Sequence, residues 1–205
     1  MIGVIDYGIG NIGSILNMLK KIGVQARSVK TVEEVEQADK LILPGVGSFD
    51  AGMQKLKSSG LVDSIIKHVN INKKPLMGIC LGMQMLGRSS EEGQEQGLGL
   101  IPFTCKKFSF EAGSNLKVPH MGWDIISKQR SDELILKNLD DNQRYYFVHS
   151  YYAVCDFAEN ELMICEYGIS FAAAVVHENI YGFQFHPEKS HKFGMALLEN
   201  FARSV

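Results

Sequence analysis

The sequence lacks the features that would direct the chain to a membrane, to nucleic acid or to a metal ion. No apolar run among its 205 residues approaches the length that spans a bilayer. The Lys and Arg residues number 21 and the Asp and Glu residues 23, so no basic excess favours nucleic acid or anionic lipid. The 4 cysteines include no C-x-x-C pair, which argues against a zinc site and against a redox dithiol.

The N-terminus also lacks the basic segment with which a signal peptide begins. The apolar run from Ile2 meets an acid at Asp6, which predicts a buried strand instead. Because the cysteines show no disulfide pattern, we expect reduced thiols and a cytoplasmic location. No low-complexity linker or internal repeat divides the chain. The sequence therefore predicts one domain over residues 1–205, long enough to bury a sizeable core.

Strand and helix patterns alternate in the first half of the chain. Helical spacing follows Asn11, a capping box joins Thr31 to Glu34, and Gly60 separates two further helices. The strands predicted there are residues 2–6, 24–29, 41–43 and 76–79. Later strand-like runs are residues 99–107, 145–154, 162–167, 171–177 and 180–185, before a last helix near Ser190. This pattern predicts an α/β fold with a central, mostly parallel sheet flanked by helices and a β-rich C-terminal half.

A cysteine between two glycines is the strongest chemical signal. Residues 78–82 read Gly-Ile-Cys-Leu-Gly directly after a predicted strand, which is the layout of a nucleophile elbow with Cys80 as the nucleophile. The glycines permit a sharp turn, and a helix that starts near Leu81 directs its free N–H groups at the sulfur. This environment favours the thiolate, and the N–H of Leu81 is a natural oxyanion donor. The alternative, a small buried apolar cysteine, leaves the glycines unexplained.

A histidine and a glutamate near the C-terminus supply the other two groups of a triad. Residues two apart in an extended segment project to the same side, and Pro187 favours extended geometry at His186. Glu188 can therefore lie beside the imidazole, fix its tautomer and stabilise its charged form. Alone, the pair would more simply be solvated side chains at a strand end. Together with Cys80, they predict a nucleophilic triad.

A competing glycine pattern lies near the N-terminus. Gly8, Gly10 and Gly13 follow a strand and open a helix, as in dinucleotide-binding folds. The acid expected at the end of the next strand is missing, because Glu33 and Glu34 fall inside the following helix. A nicotinamide-dependent oxidoreductase would also leave the triad without a role. We expect these glycines to permit close packing of helix on sheet, and we expect no cofactor.

The motifs together resemble those of class I glutamine amidotransferases, and within them the glutaminase subunits of imidazole glycerol phosphate synthase. The segments that carry the resemblance are residues 6–11, 43–49, 78–84, 119–123, 146–151 and 185–190. One departure is Asp124, where the family more often has Asn, and we expect it to alter a contact rather than the chemistry. The resemblance implies a flavodoxin-like fold and hydrolysis of glutamine to glutamate and ammonia through a thioester on Cys80.

The resemblance also implies roles for residues around the nucleophile. Backbone N–H groups of Leu81 and of Gly45 and Val46 are expected to hold the oxyanion. The residues expected to bind glutamine are Gln84, His149, Ser150 and Tyr151.

A partner subunit follows from the same resemblance. The motifs run from residue 6 to residue 190, which leaves little chain for a site that consumes ammonia. In the resembled family a (β/α)8-barrel synthase subunit receives the ammonia, so we expect a heterodimer with such a barrel and a role in histidine biosynthesis. A paralogous glutaminase subunit for surface-glycan synthesis and a non-catalytic scaffold are the alternatives. The expected docking residues are Asn11, Tyr146 and Trp123, the last on a loop that also carries His120.

Overall fold

The computed structural model describes residues 1–111 and 113–205, and its strands join into one mixed sheet of 11 strands. The strands are β1 (Ile2–Ile5), β2 (Ala26–Val29), β3 (Lys40–Gly45), β4 (Leu76–Cys80), β5 (Phe103–Lys107), β6 (His120–Lys128), β7 (Arg144–His149), β8 (Tyr151–Cys155), β9 (Glu161–Glu166), β10 (Ser170–His177) and β11 (Ile180–Phe183). The α-helices are α1 (Ile12–Lys21), α2 (Val32–Gln37), α3 (Phe49–Ser58), α4 (Val62–Ile66), α5 (Leu81–Leu86) and α6 (His191–Arg203). A π-helical turn spans Lys67–Ile71, and 3-10 turns span Leu134–Leu136, Ala158–Asn160 and Pro187–Lys189. The predicted α/β class is confirmed.

The strand order places the chemistry-bearing segments at one edge of the sheet. The order is β2-β1-β3-β4-β11-β10-β9-β6-β7, and β8 pairs with β10 and β5. The strands β2, β1, β3, β4 and β11 run parallel to one another, whereas the pairs beyond β11 are antiparallel. Parallel strands share one carboxyl edge. Gly45 is therefore opposite Cys80, and the chain beyond Phe183 leaves the sheet beside them.

The core lies on both faces of the sheet. Along β3, Leu41 and Leu43 join one apolar cluster and Ile42 joins the other, as the alternation of side chains along a strand requires. One cluster includes Leu197 of α6, and the other includes Phe49 of α3. Each fully buried side chain of this size contributes roughly 1.5–3 kcal/mol relative to its exposed form. The two layers hold the carboxyl edge of the sheet in place.

The predicted strands form with shifted bounds: the run expected over 24–29 begins at Ala26, the run over 99–107 begins at Phe103 and the run over 180–185 ends at Phe183. Two further differences bear on the site. The strand expected to stop at residue 43 continues through Pro44 and Gly45, since these residues extend the parallel register with β4. The run expected over 145–154 is two strands that separate at Ser150. They separate because they pair with different strands: β7 pairs with β6, and β8 pairs with β5 and β10.

The segment expected to form a loop around Trp123 is instead the start of β6. Its first part pairs with β7 and its last part with β9. Because side chains alternate along the strand, Met121, Trp123 and Ile125 point outward and are 61%, 39% and 59% exposed, whereas His120 is buried. The strand pattern was missed because Gly122 and an acid at the next inward position interrupt its apolar face.

A contact between backbones fixes α5 against β3. A Cβ at Gly82 would lie 1.9 Å from the carbonyl oxygen of Leu43, and a Cβ at Gly45 would lie 2.6 Å from the backbone nitrogen of Gly82. Only glycine permits so close an approach. The helix that follows Cys80 is therefore seated directly on the strand that carries the predicted oxyanion segment.

We expect Gly82→Ala to lower the free energy of unfolding by about 1–3 kcal/mol, because the new methyl group would collide with backbone that cannot move aside. The matched control is Gly13→Ala in α1, where nothing lies within 4 Å of an added Cβ. That control should be neutral or stabilising by up to about 1 kcal/mol. Urea denaturation measures both variants, and equal stabilities would contradict the close-approach explanation.

Candidate active site

Cys80 occupies a strained turn at the carboxyl end of β4. Its backbone angles, φ 54° and ψ −113°, lie in a region that residues with a side chain rarely adopt. Helix α5 begins at the next residue, Leu81, so the first free N–H groups of the helix face the sulfur. The side chain is buried at the cavity wall. This is the elbow geometry that the flanking glycines predicted.

His186 and Glu188 form a buried pair beside the sulfur. The Nδ1 atom of His186 lies 2.8 Å from the Oε1 atom of Glu188, and both side chains are almost wholly buried. The expected extended path is wrong in one respect: residues 187–189 form a 3-10 turn, because the Lys189 N–H bonds back to the carbonyl of His186. The turn, rather than strand alternation, brings the carboxylate to the ring.

The electrostatics of His186 favour its charged form. Burial alone would lower its pKa, but hydrogen bonds and negative charge from Cys80 and Glu188 raise the pKa to about 9. Ser190 holds the segment, since its hydroxyl donates to the carbonyl of His186 at 2.7 Å and accepts from the N–H of Tyr146 at 3.1 Å. The imidazole is therefore fixed in position with a proton available beside the thiol.

The sulfur and the ring open into a cavity of about 330 Å³. The residues that line it are Val46, Gly47, Cys80, Leu81, Gln84, Glu92, Pro119, Val148, His149, Ser150, Tyr151, His186 and Lys189. The predicted substrate-binding residues are thus gathered around the nucleophile. Of the predicted oxyanion residues, Val46 and Leu81 line the cavity, whereas Gly45 lies behind it in β3. Glu188 also lies outside the lining, on the far side of the imidazole.

The glycine pattern near the N-terminus supports the loop across the cavity from His186. A Cβ at Gly10 would lie 2.8 Å from the Cβ of Pro44, and the hydroxyl of Tyr7 donates to the carbonyl of Pro44 at 2.8 Å. On the other side of the loop, Glu92 accepts from the N–H of Phe49 at 2.8 Å. Gly10 thus permits close packing on the sheet, as expected, but from the segment that precedes α1 and against Pro44 of β3. Among the described residues, no group of three or more His, Cys, Asp or Glu side chains is placed to hold a metal ion.

Gln184 is a site residue that the sequence reasoning missed. Its side chain is fully buried, its Nε2 lies 3.9 Å from the sulfur of Cys80, and its Oε1 accepts from Gln84 at 3.0 Å. Gln84 also donates to the carbonyl of Tyr151 at 3.1 Å. The available signal was an amide between two buried phenylalanines, since a buried polar group is retained only where it has partners. Gln184 therefore connects Cys80 to Gln84 in the lining of the cavity.

The predicted docking residues lie outside the cavity. Trp123 stacks on His191 at 5.5 Å between ring centroids and meets Tyr146 edge-on at 6.1 Å, and the amine of Lys189 lies over the Tyr146 ring at 5.6 Å. Asn11 sits at the N-cap position of α1, but its side chain makes no capping hydrogen bond. Within the described residues every helix is too short or too polar to cross a bilayer.

The chain is similar to known proteins over almost its whole length. Residues 3–205 match the family model described as glutamine amidotransferase class-I. Imidazole glycerol phosphate synthase subunit HisH 2 of Pseudomonas aeruginosa is 55% identical over 205 residues, covering 100% of both chains. The subunit of the same name in Methanococcus maripaludis is 53% identical with the same coverage. A chain of the PurLQS structure from Thermotoga maritima, 18% identical, superposes with a TM-score of 0.73 over 98% of this chain and 96% of that one, which shows a shared fold.

The charge on His186 makes a testable contribution to stability. Its pKa in the folded chain lies above the ordinary 6.5, so the stabilisation is complete below that pH and is lost as pH rises through about 9. We expect Glu188→Gln to lower the free energy of unfolding more at about pH 6 than at about pH 10, by on the order of 1–3 kcal/mol. Urea denaturation at the two pH values measures the difference.

A surface carboxylate provides the control for this measurement. Glu178→Gln removes a charge from an exposed pair with Lys73 and should cost little at either pH. An NMR titration of His186 should show a lower pKa in E188Q and no change in E178Q. Equal losses of stability for E188Q at both pH values would show that the pair does not hold the proton.

Proposed function

The chain belongs to the class I glutamine amidotransferase family, and from that premise we propose that it is the glutaminase subunit of an imidazole glycerol phosphate synthase. The observation that carries the proposal is the group of Cys80, His186 and Glu188: the sulfur and the imidazole line a cavity large enough for an amino acid, and the carboxylate contacts the ring from behind. The names of the relatives support the subunit role and the pathway of histidine synthesis.

In the proposed first half-reaction, the Cys80 thiolate attacks the side-chain amide carbon of glutamine. The carbonyl oxygen becomes an oxyanion, and the N–H groups of Leu81 and Val46, the two predicted oxyanion residues that line the cavity, stabilise it. The imidazolium of His186 gives its proton to the leaving nitrogen, the C–N bond breaks, and ammonia departs. A glutamyl thioester remains on the sulfur.

Water completes the reaction. The neutral His186 takes a proton from a water molecule as its oxygen attacks the thioester carbon, and the C–S bond breaks to release glutamate and the thiolate. Glu188 keeps the imidazole in one orientation and stabilises its charge in both steps. The sum is glutamine plus water giving glutamate plus ammonia, with no cofactor required.

The substrate is proposed to be recognised at the wall of the cavity opposite the sulfur. The amino-acid head of glutamine would lie against Gln84 and against backbone groups of residues 149–151, leaving the amide beside the sulfur. Gln84 is held by the carbonyl of Tyr151 and by Gln184, so it is already positioned before substrate binds. A rigid binding wall of this kind restricts glutamine to one orientation.

Ammonia needs a protected path to its acceptor because it is mostly protonated in neutral water and then loses its nucleophilicity. We therefore propose that a (β/α)8-barrel synthase subunit docks on the chain in the cytoplasm and receives the ammonia directly. The proposed docking face contains the aromatic group of Trp123, Tyr146 and His191 and the exposed row Met121, Trp123 and Ile125 on β6. Three exposed apolar side chains on one strand form a patch of the kind that a protein partner covers.

Glutamate release with and without the barrel subunit tests the proposed reaction. We expect glutamine hydrolysis that increases when the partner is present. A partner-dependent rise accompanied by formation of imidazole glycerol phosphate supports the histidine pathway, and a rise accompanied only by amination of a sugar supports the paralogous pathway. A folded chain that releases no glutamate with any partner would favour a non-catalytic scaffold.

The nucleophile is tested by Cys80→Ser. We expect loss of thioester formation and of labelling by an electrophilic glutamine analogue, because the weaker nucleophile lacks an activated thiolate, while partner binding is retained. Cys155→Ala is the matched control, since that partly buried thiol lies in β8 outside the cavity lining. Retained labelling of C80S, or equal loss in C155A, would contradict the role of Cys80.

The docking face is tested by Trp123→Ala. We expect the dissociation constant for the barrel subunit to rise by at least about tenfold, because a large aromatic side chain at an interface centre typically contributes this much. Ile71→Ala is the control, an apolar side chain that is 73% exposed after α4. Calorimetric titration measures both. Similar affinity for W123A and I71A would place the interface elsewhere.

A further inference from the structure

Three polar contacts in series connect the surface to the wall of the cavity. The Oδ2 atom of Asp124 lies 2.6 Å from Nε2 of His120, and Nδ1 of His120 lies 3.0 Å from Nε2 of His149. The Nδ1 atom of His149 lies 2.8 Å from the carbonyl oxygen of Tyr151. Both imidazoles are buried, whereas the carboxylate side chain is 38% exposed. We call Asp124, His120, His149 and the Tyr151 carbonyl the histidine chain.

The inner end of the histidine chain meets the proposed glutamine site. The carbonyl of Tyr151 that lies 2.8 Å from Nδ1 of His149 also accepts from Gln84 at 3.1 Å. Gln84 in turn contacts Gln184, which reaches the sulfur of Cys80. Any change in how His149 faces this carbonyl therefore changes the support of a side chain that lines the cavity.

The groups at the two ends of the histidine chain determine how many protons its hydrogen bonds require. A carboxylate and a backbone carbonyl can only accept hydrogen bonds, and two neutral imidazoles carry two N–H groups. The three contacts need three protons, one for each. A third proton, on the His120 ring or on the Asp124 carboxyl, completes the chain. Without it, one contact sets a lone pair against a lone pair.

The surroundings decide where the third proton is held. In the described residues the titratable groups that face His120 are Asp124, His149 and Tyr167, whose ring stacks on the imidazole at 4.0 Å. His186 faces His149, and Cys165 of β9 faces Asp124. Because His186 is itself cationic, a positive charge on His149 is unfavourable. The third proton is therefore held at the Asp124 end of the chain.

Burial makes this proton easy to lose. Desolvation lowers the pKa of His120 despite the contact with Asp124, and it lowers the pKa of His149 to about 3. When the third proton leaves, the carboxylate retains the charge-assisted bond from Nε2–H of His120. His120 then accepts from His149 through Nδ1, and His149 presents a lone pair to the carbonyl of Tyr151. The contact that is lost is the one at the cavity.

We propose that Asp124, His120 and His149 are positioning residues whose shared proton sets the orientation of the Tyr151 carbonyl and so the affinity for glutamine. The proposal rests on the proposed glutaminase function. It makes glutamine bind more tightly on the acid side of the histidine titration than on the basic side. The chemical steps at Cys80 and His186 are unaffected, because the histidine chain contacts neither reacting atom.

Asp124→Asn is the decisive variant. The amide has the same shape and can donate a hydrogen to Nε2 of His120, which supplies the third proton at every pH. His149 then donates permanently to the Tyr151 carbonyl. Asp132→Asn is the matched control, because it removes the same charge from an exposed side chain outside the chain of contacts.

Two measurements are made on wild type, D124N and D132N. Nitrogen NMR of the imidazoles should show His120 as the Nε2–H tautomer above its titration in wild type and D132N, but as the Nδ1–H tautomer in D124N. With the barrel subunit bound, the ratio of glutamine KM in wild type to that in D124N should rise about threefold to tenfold between a pH about one unit below and a pH about one unit above the His120 titration that NMR locates. The ratio of kcat values should change by less than about twofold.

The outcomes separate the two proposals. The same tautomer in wild type and D124N, or a KM ratio that is equal at both pH values, would overturn the positioning role. An equal fall of kcat and of kcat/KM in D124N at both pH values would show a structural role instead and would also overturn it. If none of the three proteins releases glutamate, the glutaminase function fails, and the tautomers alone decide whether the histidine chain holds a shared proton.

Discussion

The close contact between α5 and β3 is the constraint on which the site depends. With no side chain at residue 82, the first turn of the helix rests against the carbonyl of Leu43, and this contact holds the strained backbone of Cys80 at the end of β4. A larger residue would push the helix away and would relax the turn that presents the sulfur. Gly45 at the end of β3 takes part in the same contact, so the proposed nucleophile and the proposed oxyanion segment are positioned together.

Local sequence patterns were enough to predict the elbow and the parallel half of the sheet. The glycines around Cys80 and the capping box at Thr31 determine local backbone geometry, and both features form where they were expected. The pairing of His186 with Glu188 was expected, but through extended geometry, whereas a 3-10 turn produces it. A turn whose hydrogen bonds close over three residues leaves no periodic signal in so short a segment.

Long-range partners explain what the sequence did not predict. Strand β6 has a glycine and an acid on its inward face, which breaks strand alternation, and only its pairing with β7 and β9 makes the strand regular. The contact between His120 and His149 follows from that register, since the two residues are opposite each other across the strands. Gln184 is likewise defined by groups from distant segments. Such polar groups are buried because distant segments supply their hydrogen-bond partners, and these partners come together only in the folded structure.

The two faces of strand β6 have different roles: apolar side chains face outward, whereas His120, which contacts His149, and Asp124, which contacts His120, face inward. Since successive residues alternate, inserting or deleting a single residue within this strand would exchange the two faces beyond that point, whereas a connecting loop can absorb such a change. An outward aromatic would then be driven toward the core, and an inward imidazole would be turned to water. Residues of this strand can therefore be substituted one at a time, but a change of its length by one residue would need a β-bulge to keep both surfaces.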